Sequence, residues 1–396
     1  MRSDVDQFTW SQADTAFMRQ ALALAERGRG RVSPNPLVGC VLVKGGEVVG
    51  EGWHAQAGGP HAEAGALAAA GEAARGATAY VTLEPCDHHG RTPPCTEALL
   101  AAGVSRVVAA AFDPDERVNG RGAERLKRAG VLVEVGLLAD EAQRQNEVFL
   151  TSRMKRRPFV LYKTAMSLDG KIAVRTGRSR WITSEASRGM VHRWRDEFDA
   201  VAVGVNTVLL DDPALTTRLE GGRTPLKVVF DSVARTPVTA RLFDPDPSGQ
   251  PARVLLFVTE AAPEARVEAL AAAGAAVVRV ADNRGRPQIV AALEELLARE
   301  VTSVLLEGGG TLAWEFFDLG AVDRVAWFIA PKLLGGSAAG PLAGLGVASI
   351  EEAFTLDAMD TQTVGGDLLV TGTVHYRLNE DLMDGPAAHP GAEGVA

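Results

Sequence analysis

Two short stretches concentrate the reactive side chains of this chain. "GGPHAEAGAL" spans residues 58–67 and "VTLEPCDHHGRTPPCTEAL" spans residues 81–99. Together they hold three of the seven histidines and two of the three cysteines in 396 residues. One imidazole (His61) and two thiolates (Cys86, Cys95) suit Zn²⁺, with the fourth tetrahedral position left for water. Zinc lowers the pKa of such a water from about 15.7 towards about 7. Glu63 follows His61 by two residues, so it reaches that water without being a ligand. A carboxylate there takes the water's proton and passes it to a leaving amine. Zinc deaminases share this design, with the signature H-x-E…P-C-x-x-C. "HAE" and "PC" fit; the second cysteine departs, because eight residues rather than two separate Cys86 from Cys95. Other readings stay open at this point. A buried cysteine is usually a small hydrophobe, and His88 or His89 could close a structural zinc site or contact substrate.

The elements around these residues explain how they could meet. Pro60 and His61 stand where a helix begins, Cys86 follows a strand through Pro85, and Cys95 opens the next helix. In a parallel α/β sheet, strand ends and helix starts converge on one edge. The first 150 residues alternate accordingly. "DTAFMRQALALAERG", "HAEAGALAAAGEAA", "CTEALLAAG" and "GRGAERLKRAG" predict helices; "ATAYVTLEP", "VSRVVAAAFDP" and "VLVEVG" predict strands. Two apolar runs around Gly45-Gly46 predict a hairpin. A largely parallel sheet with helices on its faces follows. A polar helix ends at Pro158, which makes residues 146–157 the expected linker between domains at 8–145 and 158–376. A second alternation of strands and helices follows, and the small, polar, Pro/Gly-rich residues 383–396 predict disorder.

Length and composition narrow the class. A chain of 396 residues exceeds one ordinary core, and 46% hydrophobic with 23% charged residues reads as globular. A net charge of -9 without a Lys/Arg-rich run argues against nucleic acid, while a few local arginines could still hold small phosphorylated ligands. Three cysteines make no disulfide framework and suit a reducing compartment. The polar start and the lack of a long apolar run exclude a signal peptide and a membrane span, so a cytoplasmic protein is expected. A homo-oligomer is compatible with all of this. In "TSVLLEGGGTLAWEFF" (302–317), a glycine turn opens a helix whose N–H groups could hold a phosphate. By itself such a turn is equally a tight strand–helix connection.

"HAEAGAL", "TLEPCDHHGRTPPC" and "SPNPLVGCVLV" closely resemble the deaminase half of the bifunctional deaminase–reductase family of riboflavin biosynthesis. In that family the long spacing "EPCxHxGxTPPC" is the normal pattern. The resemblance implies zinc on His61, Cys86 and Cys95, and a proton shuttle at Glu63. It also implies substrate contacts at Asn35, His54, His88 and Arg91, with Arg91 matching a phosphate. Asp87 departs from the small residue expected there. "SLDGKIA" (167–173), "VGVNTVLLDDPALTTR" (203–218), "DSVARTP" and "APKLLGG" resemble the reductase half in the matching order.

The implied fold is an N-terminal three-layer α/β/α cytidine-deaminase-like domain followed by an α/β domain like dihydrofolate reductase. Carried over by position, NADPH contacts fall at Ala165, Trp181, Thr207, Asp211, Ser232, Gly309, Gly310 and Thr311. Substrate contacts fall at Ser179, Arg195, Leu215, Arg218 and Glu307. Lys163, before "SLDG", is a candidate to protonate the alkoxide left by hydride attack. The implied reactions are hydrolysis of the 2-amino group of a diaminopyrimidine ribotide to a uracil, then reduction of its ribosyl group to ribityl. A nucleoside or tRNA deaminase would carry the short C-x-x-C, and a tRNA enzyme also a basic face. A zinc-stabilised binding protein would close the site with four ligands and have no use for Glu63.

Overall fold

The computed structural model describes residues 9–89, 93–114 and 119–376. Arg91 and the tail expected to be disordered at 383–396 lie outside the described residues. The described chain forms two compact units, one of residues 9–159 with 189–305, the other of 160–188 with 306–376.

The first unit opens with helix α1 (Gln12–Ala25), started by a reciprocal cap. Ser11 Oγ accepts from the Asp14 N–H at 3.0 Å, and the Asp14 carboxylate accepts from the Ser11 N–H at 2.8 Å. There follow β1 (Gly39–Lys44), β2 (Glu47–Trp53), α2 (Ala62–Ala70), β3 (Thr78–Val81), α3 (Cys95–Ala102), β4 (Arg106–Ala109), α4 (Arg121–Arg128) and β5 (Leu132–Val135). The sheet order is β2–β1–β3–β4–β5. β3, β4 and β5 are parallel, but β1 runs antiparallel to both its neighbours, so this sheet is mixed rather than largely parallel. The cause is the Gly45-Gly46 hairpin, which returns the chain beside β1 instead of crossing over. Strand periodicity builds the three layers. Cys40 and Leu42 face α2, α3 and α4 through Ala66, Leu99 and Leu126. Val41 and Val43 face α1 through Met18 and Ala21. Helix α1 lies so close that a Cβ on Gly39 would stand 2.0 Å from the Ala21 carbonyl oxygen.

The segment read as one linker helix is two, α5 (Ala139–Gln145) and α6 (Glu147–Met154). They break at Asn146, with φ -101° and ψ 18°. The buried Asn146 amide accepts from the Leu37 N–H at 2.8 Å and donates to the Leu37 carbonyl at 2.9 Å.

The remaining elements are β6 (Phe159–Ser167), α7 (Glu185–Glu197), β7 (Ala200–Gly204), α8 (Val205–Asp211), β8 (Leu226–Phe230), β9 (Val254–Val258), α9 (Glu264–Ala272), β10 (Ala275–Arg279), the short pair β11 (Asp282–Asn283) and β12 (Arg286–Pro287), α10 (Ile289–Ala298), β13 (Ser303–Leu306), α11 (Gly310–Asp318), β14 (Arg324–Ala330), β15 (Thr355–Val364) and β16 (Asp367–His375). In the first unit the order is β10–β9–β8–β7–β13, with β7 to β10 parallel. β8 and β9 are buried at every position, as strands covered on both faces are. In the second unit the order is β6–β14–β16–β15. β14 runs parallel to β6 and antiparallel to β16, and β15 pairs with β16 antiparallel. β15 is almost wholly exposed, which explains why no apolar alternation announces it in the sequence.

β8 buries Lys227 completely, and its Nζ donates to the Leu242 carbonyl at 2.7 Å. Burial pushes this ammonium from 10.5 down to about 8. Between those values the unfolded chain holds a proton that the native protein has released. The group's destabilising effect is therefore full below about 8 and fades as pH rises towards 10.5. Lys227→Met removes this dependence. Thermal melts of both proteins across that window are expected to shift the Tm difference towards wild type as pH rises; a constant difference contradicts the buried-ammonium account.

Candidate active site

At the carboxyl edge of β3 the structure gathers His61, Cys86 and Cys95. Their potential ligand atoms all lie within 4.8 Å of one another. His61 Nδ1 is 3.2 Å from Cys95 Sγ and 3.6 Å from Cys86 Sγ. Ligands about 2.0–2.3 Å from a tetrahedral zinc stand roughly 3.5 Å apart, so the donor set and its spacing fit this metal. His61 is the N-cap of α2 and Cys95 the first residue of α3. Both thus sit at the positive end of a helix, which favours thiolate. The Cys86 thiol is held well down by the hydrogen bond from Cys95 and then by His61, while the Cys95 thiol is raised by the same bond. Glu63, in the first turn of α2, is buried against Cys95, and that burial raises its pKa. Neither alternative fourth ligand joins the cluster: His89 faces outward to Glu97 at 3.7 Å, and His88 is not among the gathered donors. Among the described residues this leaves three donors.

A cavity of about 430 Å³ opens in front of these groups. Asn35, His54 and His88 line it together with His61, Glu63 and Cys86. His54 Nδ1 lies 2.9 Å from the Pro60 carbonyl, which can only accept, so Nδ1 carries the proton. The lone pair on Nε2 then accepts from the Asn35 amide at 3.1 Å. Burial lowers the His54 pKa, in keeping with the neutral ring. Among the described residues His88 Nδ1 is buried without a partner, which leaves it available to a ligand. Sequence reading did not single out Ser33, Asp113, Phe149, Arg153 or Glu300, which line the same cavity. Asp113, in "FDPD" after β4, carried the recoverable signal of an acid at a strand end. Arg153 and Glu300 reach the cavity only through the fold.

Residues 11–111 match the cytidine and deoxycytidylate deaminase zinc-binding region, and residues 158–370 match the RibD C-terminal domain. The riboflavin biosynthesis protein RibD of Actinobacillus pleuropneumoniae is 41% identical over 361 residues, covering 91% of this chain and 95% of that protein. The chain belongs to the RibD family. RibD of Escherichia coli is 40% identical over 368 residues, covering 90% of this chain and 98% of its own. Among solved structures, the deaminase–reductase of Thermotoga maritima is 36% identical, with TM-score 0.79 over 92% of this chain and 99% of that one. Acinetobacter baumannii RibD is 38% identical, with TM-score 0.81 over the same shares. The protein is thus a bifunctional riboflavin-biosynthesis enzyme with a cytidine-deaminase-like domain and a RibD-type reductase domain.

The reductase residues fall in both units. In the first, Thr207 and Asp211 lie one turn apart on α8, and Ser232 follows β8. Arg195, on α7, donates to the Thr216 carbonyl at 3.2 Å, and Thr217 Oγ1 donates to the His192 carbonyl at 3.0 Å. These bonds bring Arg195 beside the segment carrying Leu215 and the exposed Arg218. Leu215 is buried yet has φ 54°, a left-handed conformation that a bulky side chain rarely adopts. In the second unit Ala165 lies on β6, half-buried Ser179 and exposed Trp181 precede α7, and Arg188 stacks 4.5 Å from the Trp181 ring. Lys163 pairs with Glu307 at 3.7 Å, so it is not the solvated lysine that a strand end usually carries. Gly309 is the N-cap of α11, and a Cβ there would meet open space. Gly310 instead packs against Gly340, whose carbonyl would lie 2.6 Å from an added Cβ.

The cluster is held by groups behind it. Buried Glu84 accepts from the N–H groups of Gly120 at 2.8 Å and Ala123 at 3.0 Å, and so caps α4. Asp87 accepts from Thr96 Oγ1 at 2.6 Å and pairs with Arg125 of α4. The departure at Asp87 is therefore a structural fastener between α3 and α4. A Cβ on Gly122 would lie 2.0 Å from the Pro85 carbonyl oxygen, next to Cys86. Gly122→Ala must displace α4 or the Pro85–Cys86 peptide. It is expected to weaken zinc retention against a chelator by about 10-fold or more, the effect of disturbing groups behind a metal site. Zinc retention equal to wild type shows that the ligand geometry does not depend on this contact.

Proposed function

We propose that the first site hydrolyses the 2-amino group of 2,5-diamino-6-(5-phosphoribosylamino)pyrimidin-4(3H)-one. Water replaces the amine, giving 5-amino-6-(5-phosphoribosylamino)uracil and ammonia. The carrying observation is a three-donor cluster with a buried carboxyl, Glu63, beside it at the floor of a cavity. The substrate is that of the Thermotoga maritima relative, named a diaminohydroxyphosphoribosylaminopyrimidine deaminase. Zinc held by His61, Cys86 and Cys95 would supply Lewis-acid activation of water. Glu63 takes the proton from the attacking water and delivers it to the departing exocyclic nitrogen. Its raised pKa suits both directions, since burial makes it a stronger base than a solvated glutamate. Neutral His54 fixes the Asn35 amide, and His88 offers its unpaired nitrogen. Arg91 is assigned to the phosphate.

We assign the second activity to reduction of the ribosyl group to ribityl, with the domains meeting between residues 146 and 157. NADPH would supply the hydride. The contacts assigned to it are Ala165, Trp181, Thr207, Asp211, Ser232, Gly309, Gly310 and Thr311. The open N-cap at Gly309 supports the phosphate assignment. The residues assigned to the substrate are Ser179, Arg195, Leu215, Arg218 and Glu307. Lys163, 3.7 Å from Glu307, protonates the alkoxide oxygen. Among the described residues no helix is long and apolar enough to cross a membrane. The sparse cysteines support a cytoplasmic enzyme.

Two substitutions test the two activities. Glu63→Gln should retain zinc while ammonia release falls at least about 10²-fold, with NADPH oxidation on the deaminated substrate unchanged. Zinc loss alongside activity would make Glu63 a structural or ligating group instead. Gly309→Val fills the open space at the N-cap and should raise the NADPH KM by about tenfold or more, leaving ammonia release intact. If it abolishes ammonia release and spares reduction, the turn serves the first site.

A further inference from the structure

We infer that Asp199, from the part of the chain matching the reductase domain, is a positioning residue for deamination. This rests on the deaminase reading of the first site. Asp199 is buried just before β7, and one of its oxygens, Oδ2, accepts three hydrogen bonds. The donors are the Thr302 N–H and Thr302 Oγ1, each at 2.9 Å, and Ser33 Oγ at 2.7 Å. Arg223 lies 3.5 Å from the other oxygen, which offsets the cost of a buried charge. Ser33 also touches Thr302 Oγ1 at 3.0 Å, but both hydroxyl protons are committed to Asp199, so the carboxylate is what fixes Ser33. The neighbouring backbone is fitted to the same place. Arg31 Nη2 is 3.1 Å from both Asp196 carboxylate oxygens, and a Cβ on Gly30 would stand 2.9 Å from Glu197 Cα.

Ser33, Pro34, Asn35 and Pro36 form one wall of the deaminase cavity. Asn146 clamps the far end of this loop at Leu37, and Asp199 clamps the near end at Ser33. Between the clamps Asn35 holds His54, and His54 holds the Pro60 carbonyl directly before His61. Asp199 touches neither substrate nor metal; it acts by setting where Asn35 stands. Glu300, also beyond residue 158, lines the same cavity, so the second half contributes to this site at two points.

The test uses the full-length zinc-loaded chain with Ser33→Ala, Asp199→Asn and the double variant. Ammonia release from the diaminopyrimidine ribotide gives KM and kcat; zinc content, NADPH oxidation and Tm are measured alongside. Each single variant should raise the deaminase KM roughly tenfold, the effect of losing a hydrogen bond to a charged group, with kcat within about threefold. Zinc should stay at the wild-type content, and Ser33→Ala should leave NADPH oxidation unchanged. The double variant should be no worse than the weaker single, because both remove one contact. Ser33→Thr, which keeps the hydroxyl, should restore KM. A lowered Tm with unchanged KM, or effects that add in the double, overturns the inference while the deaminase reading stands. A wild type that releases no ammonia overturns both.

Discussion

Three side chains whose potential ligand atoms lie within 4.8 Å of one another demand that two helix starts and one strand end share a single point. That demand shapes the first sheet. His61 caps α2, Cys95 begins α3, and Cys86 follows β3, so any shift between these elements separates the donors. Close packing removes the slack. The backbone of β1 touches α1 at Gly39, and α4 touches the Pro85 carbonyl at Gly122, each at a distance no side chain allows. Interiors packed at this density do not deform continuously, so the donors hold one arrangement.

Buried carboxylates act as the fasteners. Glu84 caps α4 from the segment that carries Cys86. Asp199 joins Ser33 to Thr302, and Asp231 accepts from the N–H groups of Arg235 and Thr236 and from the Thr236 hydroxyl. Each charge is removed from water and offset by several charge-assisted bonds. Glu63 is different. It is equally buried but lies against the Cys95 thiol, and burial raises its pKa. The same residue type thus serves as a clamp in one place and as the proposed proton carrier in another, according to what surrounds it.

The reductase residues show a looser version of the same principle. Arg195 and Thr217 tie α7 to the segment around Leu215, whose left-handed backbone is held by burial. The glycine turn divides its work between two neighbours. Gly310 is small because Gly340 and Ala343 press on it, whereas Gly309 is small although nothing does.

What the sequence by itself determined is a set of candidate groups and their order. His61, Glu63, Cys86 and Cys95 were legible because each sits at a helix start or strand end, and local apolar periodicity marks those boundaries. The hairpin at Gly45-Gly46, the helices that cover the first sheet and the apolar strands of the second half were legible for the same reason. Local signals failed where contacts are distant or exposed. β15 lies in solvent and has no apolar face to show, and the break at Asn146 depends on Leu37, 109 residues away. Only the tertiary structure decided that Ser33 bonds Asp199, 166 residues later, and that Arg153 and Glu300 wall the cavity. Polar contacts of that span leave no period in the sequence, because they are set by how sheets and helices stack rather than by the turn of any one element.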